Sequence, residues 1–155
     1  MVSIEWCKKT KNGLELIKPN KNMSRSYINM AEESIKSLIK VESNIWIATM
    51  SYYIFYYSLY ALMLRIGIKC EIHSCSLEFM EKCLERFYDK KDFDEIIRAF
   101  KARINLQYYA DRPVDQKDID DSQRDCKKFF IKTKDLLVNI TEKEINYIRS
   151  DFKKH

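Results

Sequence analysis

Between Glu42 and Arg65 the chain carries no charged residue, and six of the nine residues from Tyr52 to Tyr60 are aromatic. Asn44 to Leu64 is long enough to span a bilayer, which takes roughly 20 apolar residues. Its composition argues otherwise. Tyr52, Tyr53, Tyr56, Tyr57 and Tyr60 fall in its middle, where lipid offers nothing to bond a phenol, and Ser51 and Ser58 add further hydroxyls. The flanks also lack the charge asymmetry that orients a single span. A helix apolar nearly all round belongs at the centre of a bundle or in an oligomer interface. The segment is therefore expected to be covered by protein, with no membrane partner.

The rest of the chain supplies helices to cover it. Two Gly and two Pro among 155 residues are too few for the frequent turns of a β-rich fold. Met23, Tyr27, Met30, Ala31, Ile35 and Leu38 recur at three and four, which predicts a first helix over about 22–41. Ser43 or Asn44 can cap the central helix, and Gly67 can end it. A third helix is predicted over about 76–88, with Leu77, Met80, Cys83, Leu84 and Phe87 on its face. Asp92 and Glu95 make a capping-box-like start for a fourth, striped by Phe93, Ile96, Ile97, Phe100 and Ile104. "ADRPVD" breaks the chain at 110–115, a fifth helix runs from about Gln116 to Asn139, and Thr141 with Glu144 opens a short last one. The predicted fold class is all-α: an antiparallel up-and-down bundle of about five to six helices over 22–155, preceded by an N-terminal arm at 1–21. The arm's "NGLELIK" reads as a turn and a short extended run.

The net charge of +5 is unevenly spread. The arm is basic and reads as a solvated tail, with RNA, DNA or an acidic protein as its alternative partners. The five cysteines are odd in number, and the opening residues, with Lys8 and Lys9, do not resemble a secretory leader. Reduced thiols and a cytoplasmic location are the expectation. Cys70-x2-His73-x-Cys75, with Cys83 beyond, contains donors that zinc accepts, but the spacing matches no common zinc module. No metal and no cofactor are expected. No Gly-rich phosphate loop, His-Glu-x-x-His or nucleophile elbow is present, and two histidines leave little room for a triad.

Tyr52 to Gly67 reads "YYIFYYSLYALMLRIG", followed by Ile72-His73-Ser74. This run resembles the second helix of the HEPN superfamily, small helical bundles of bacteria and archaea. "NGLELIKPNKNMSRSYINMAEESI" looks like the arm and first helix of archaeal members, and "ARINLQYYADRPV" like the segment that ends their fourth helix. The resemblance covers most of the chain and rests on the order of these pieces. It implies a homodimer, often beside a minimal nucleotidyltransferase as partner in a toxin–antitoxin or defence pair. It also implies that His73 fixes the loop into the third helix. Many members are ribonucleases with an Arg-x4–6-His motif.

The motif's Arg carries over to Arg103, but its His does not, because Tyr108 and Tyr109 stand there instead. The second-helix His common in the family falls on Tyr57. Cleaving RNA through its own 2′-hydroxyl needs a base and an acid, which imidazole supplies with a pKa of about 6.5. A phenol titrating near about 10 is a poor base. Arg103 can still neutralise a phosphate, and Tyr108, Tyr109, Tyr53 and Tyr57 can surround a base. The expectation is thus a protein that binds RNA or a nucleotide without the usual ribonuclease site. The alternatives are a non-enzymatic interaction module and a ribonuclease using Arg103 with tyrosines. For each candidate a plainer role stands alongside. Arg103 can extend from the core or pair with Asp111, Tyr108 and Tyr109 can pack, and one face of central-helix tyrosines can enter the core while the other lines a cleft or a dimer contact.

Overall fold

The computed structural model describes residues 2–155. It is an all-α bundle, 74% helical, with one small two-stranded sheet. The elements among the described residues are α1 (Ile4–Lys9), β1 (Glu15–Leu16), α2 (Lys21–Leu38), α3 (Asn44–Ile66), β2 (Ile68–Lys69), α4 (His73–Cys83), α5 (Lys90–Tyr108), α6 (Gln116–Asn139) and α7 (Glu142–Lys154).

α3 is the tyrosine-laden segment, and it forms the axis of the bundle. It packs against α2, α6 and α5. Tyr52, Ile54, Phe55, Leu59, Leu62 and Met63 expose none of their surface. By length and composition α3 could cross a membrane, yet 78% of its most apolar window is buried inside the fold, as in the core helix of a soluble protein. Phe55 packs on Phe129 of α6, and Tyr88 stacks on the same ring. The Tyr88 hydroxyl is satisfied by Thr133 Oγ1 at 2.7 Å, which removes the cost of burying it.

Local chemistry sets the helix ends. Gly67 ends α3 in the left-handed region at φ 92°, and its N–H bonds the carbonyls of Met63 and Leu64. A Cβ there would crowd the Arg149 guanidinium and lie 2.6 Å from the Ile17 carbonyl oxygen. Arg149 of α7 donates from one nitrogen to the carbonyls of Ile17, Ile66 and Gly67 at 2.8, 3.0 and 2.9 Å. Thr141 and Glu144 form the capping box expected at α7. The α5 box is built instead on Asp89 and Asp92, one turn ahead of the expected pair. α4 begins at His73 and ends at Cys83, rather than spanning 76–88.

Two expectations change. Residues 2–21 do not form a free arm, because α1 packs on α4 and β1 pairs antiparallel with β2. The thiols are not all reduced. Cys7 of α1 and Cys75 of α4 are joined in a disulfide across a sequence separation of 68. The packing of α1 brings these two buried residues together, and no spacing in the sequence indicates it. Cys70, Cys83 and Cys126 remain free and buried.

Candidate functional site

The tyrosines of α3 divide by depth. Tyr52, Tyr56 and Tyr60 are buried, while Tyr53 and Tyr57 are only half-buried. Tyr60, which helical angle places with Tyr53 and Tyr57, joins the buried group: it stacks with Tyr56, and Tyr27 of α2 sits edge-on over it. Tyr53 and Tyr57 form a rim, with ring centroids 5.3 Å apart.

Arg103 of α5 lies on this rim. Its guanidinium carbon is 5.3 Å from the centre of the Tyr52 ring and 5.1 Å from that of Tyr53. Nε donates to Gln107 Oε1 at 3.1 Å, one turn along the same helix, and Nη2 reaches the Tyr53 hydroxyl at 3.4 Å. Two ring faces and a side-chain amide thus hold the fork in place. Among the described residues no carboxylate pairs with it. Arg98, on the same helix, differs: it faces Asp118, Asp121 and Asp125 and is neutralised by them. Arg103 is positioned but keeps its charge.

His73, expected only to fix the loop into the third helix, joins the site. The first residue of α4, it lies face to face with Tyr56, its centroid 3.9 Å from the phenol ring, and Nδ1 is 2.7 Å from the Tyr52 hydroxyl. Tyr53 meets its edge at 6.0 Å. Burial, and secondarily the charge of Arg103, push its pKa down to about 4. The imidazole is therefore neutral at pH 7. Burial raises the Tyr52 and Tyr56 hydroxyls well above the ordinary phenol value, so both remain protonated. The site combines one free cation, one neutral imidazole and un-ionised phenols. The arrangement suits anions and aromatic rings better than proton transfer, because neither the Tyr52 and Tyr56 phenols nor the imidazole titrates near neutrality.

The remaining candidates separate. Tyr108 and Tyr109 are 66% and 40% exposed, so the plainer role of packing in the core does not hold for them. They end α5 beyond its buried stripe of Glu95, Ile96, Ala99 and Ala102.

 Ala99 and Ala102 lie in that stripe, and the two tyrosines fall outside it at the helix end. Arg112 stacks on the Tyr109 ring at 3.5 Å, so that ring already has a cation over one face. Asp111 is exposed and is not the partner of Arg103. The zinc-like Cys/His set is not assembled either, because Cys75 is committed to its disulfide and His73 to the tyrosine stack. A small apolar recess of about 170 Å³ adjoins the cluster, lined by Val2, Ser74, Leu77, Ile97, Phe100 and Lys101. Phe100 packs against Tyr52 from that side, with ring centroids 5.3 Å apart.

No protein-family model matches the chain, and neither a curated protein nor a solved structure matches it.

Proposed function

We propose that the chain is a HEPN-like protein that binds RNA or a nucleotide through the Arg103 cluster. The observation that carries this reading is the un-neutralised guanidinium held over Tyr52 and Tyr53. A phosphate supplies the anion that Arg103 lacks, and its planar fork suits two phosphate oxygens. The half-buried rings of Tyr53 and Tyr57 and the exposed Tyr108 offer faces for a neighbouring base. The order of sequence segments that resembles HEPN proteins supports the same reading. It also motivates the partners we assign: a second copy of this chain and a minimal nucleotidyltransferase, in a toxin–antitoxin or defence pair. Ile39, Ile45 and Trp46, exposed around the α2–α3 connection, provide apolar surface for such a contact.

A second reading, ribonuclease activity, is favoured by one observation. His73 stands in the Arg103 cluster, where it could replace the histidine missing from the motif. An imidazole titrating at about 4 is a weak base at pH 7, so binding is the better-supported activity. The test is incubation of the full chain with single-stranded and structured RNA, beside Arg103→Ala and His73→Gln. Binding without cleavage, weakened in Arg103→Ala, supports the proposal. Cleavage lost in both variants replaces it with the ribonuclease reading. RNA neither bound nor cut leaves the interaction module.

A further inference from the structure

α4 and α7 meet at their C-terminal ends, which brings together three donors that are far apart in the sequence. Cys83 Sγ, an Asp151 carboxylate oxygen and an imidazole nitrogen of His155 all lie within 4.8 Å of one another. Asp151 and His155 are four residues apart and share a face, with Nε2 3.7 Å from the carboxylate. Cys83 forms the buried floor, Asp151 is half-buried and His155 is exposed, so the cluster opens to solvent. The Cys83 thiol also stands apart from the other two free thiols. Cys70 Sγ donates to the Ile72 carbonyl and Cys126 Sγ to that of Gln123, whereas Cys83 Sγ has no hydrogen-bond partner among the described residues.

We propose that Cys83, Asp151 and His155 bind a divalent transition-metal ion of the zinc class. A thiolate, an imidazole and a carboxylate form a mixed S, N, O donor set that suits zinc, cobalt or nickel. Magnesium and calcium prefer all-oxygen shells, and this cluster does not offer one. Three protein ligands leave a coordination position for water or an incoming ligand. The surroundings favour a dication: Asp151, Glu78 and Glu85 act on the thiol as negative charges, and Lys8 opposes them. Lys8 donates to the Phe152 carbonyl at 3.1 Å, next to Asp151, and acts on the thiol more strongly than either glutamate alone. Burial and Asp151 push the empty thiol's pKa up to about 12. A bound dication reverses that preference: the metal–sulfur bond forms as the S–H bond breaks, and the proton leaves to solvent. The site is separate from the Arg103 cluster, because His73 and Cys83 sit at opposite ends of α4, about 15 Å apart along its axis.

The test titrates the full chain, its disulfide intact, with cobalt(II) alone, and reads the near-ultraviolet thiolate-to-cobalt charge-transfer band. Zinc then competes the cobalt out. We expect the band to appear in the parent chain, to vanish in Cys83→Ser, and to need about tenfold more cobalt or greater in Asp151→Asn and His155→Ala. His155 is exposed, so its replacement leaves the core intact and keeps the test decisive if Cys83→Ser fails to fold. Absence of the band under excess cobalt overturns the site. So does a band that His155→Ala leaves unchanged.

Discussion

Tyr56 and His73 lie face to face, with ring centroids 3.9 Å apart and ring planes 6° from parallel. The stack, with the Tyr52 bond to Nδ1, anchors the first turn of α4 to the central helix. It also takes the imidazole largely out of water, which disfavours its charged form. The folded-state pKa of about 4 lies below the ordinary 6.5, so the unfolded chain takes up this proton first as pH falls. His73 therefore contributes stability that is fully present above pH 6.5 and is lost as pH falls toward 4. Proton NMR of the two histidines should show one imidazole titrating near 4. The difference in thermal stability between the parent and His73→Phe should change over the same interval. An ordinary imidazole titration for His73 contradicts its place in the stack.

The Cys7–Cys75 disulfide closes a long loop and holds α1 on α4. Reduction, or Cys7→Ser with Cys75→Ser, should lower unfolding stability by about 2–4 kcal/mol. Limited proteolysis should then cut near α1 first, because that helix has only six residues and buries only Ile4 and Cys7. Equal stability with and without reductant would mean that packing alone holds α1.

Gly67→Ala should cost at least about 2 kcal/mol in chemical denaturation, because it forces a Cβ into the left-handed region against Ile17 and Arg149. Arg149→Ala should also destabilise, since three backbone carbonyls lose their shared donor. In combination the losses should fall short of their sum, because both act at one junction.

Thr141→Ala removes one half of the α7 capping box and should cost about 1 kcal/mol. Asp89→Ala should cost a similar amount at α5, and Glu95→Gln should leave that cap intact. This pattern, read from denaturant midpoints, locates the true start of α5.

Elements with a local chemical signal were legible in the sequence. Gly67 ends α3, Gln116 and Asn139 bound α6, and Thr141 with Glu144 opens α7, all as the residues predict, whereas Ser43 takes the N-cap position of α3 without a side-chain cap bond. α5 was placed late because Asp89 and Asp92 form an Asp–Asp box, which the usual Glu or Gln pattern overlooks. α4 has no side-chain cap at Ile72, so nothing in the sequence marks its start. α1 has six residues, too few for a periodic stripe. The site was legible only in part. Arg103, Tyr53 and Tyr57 could be named from the resemblance and the α3 pattern, and they lie together. His73 joins them through tertiary packing of α4 on α3, and the disulfide depends on α1 packing on α4. Neither juxtaposition leaves a trace in residue spacing.

The central claim is that Arg103 offers its charge to a phosphate. Affinity for a short single-stranded RNA, measured by fluorescence anisotropy across a salt series, tests it most directly for the parent, Arg103→Ala and Arg103→Lys. The account predicts weaker binding in Arg103→Ala at every salt concentration, with the slope of log affinity against log salt reduced by about 1. Arg103→Lys should restore the slope but not the full affinity, because an ammonium lacks the stacked planar fork. Parent and Arg103→Ala binding with the same affinity and the same slope would contradict it.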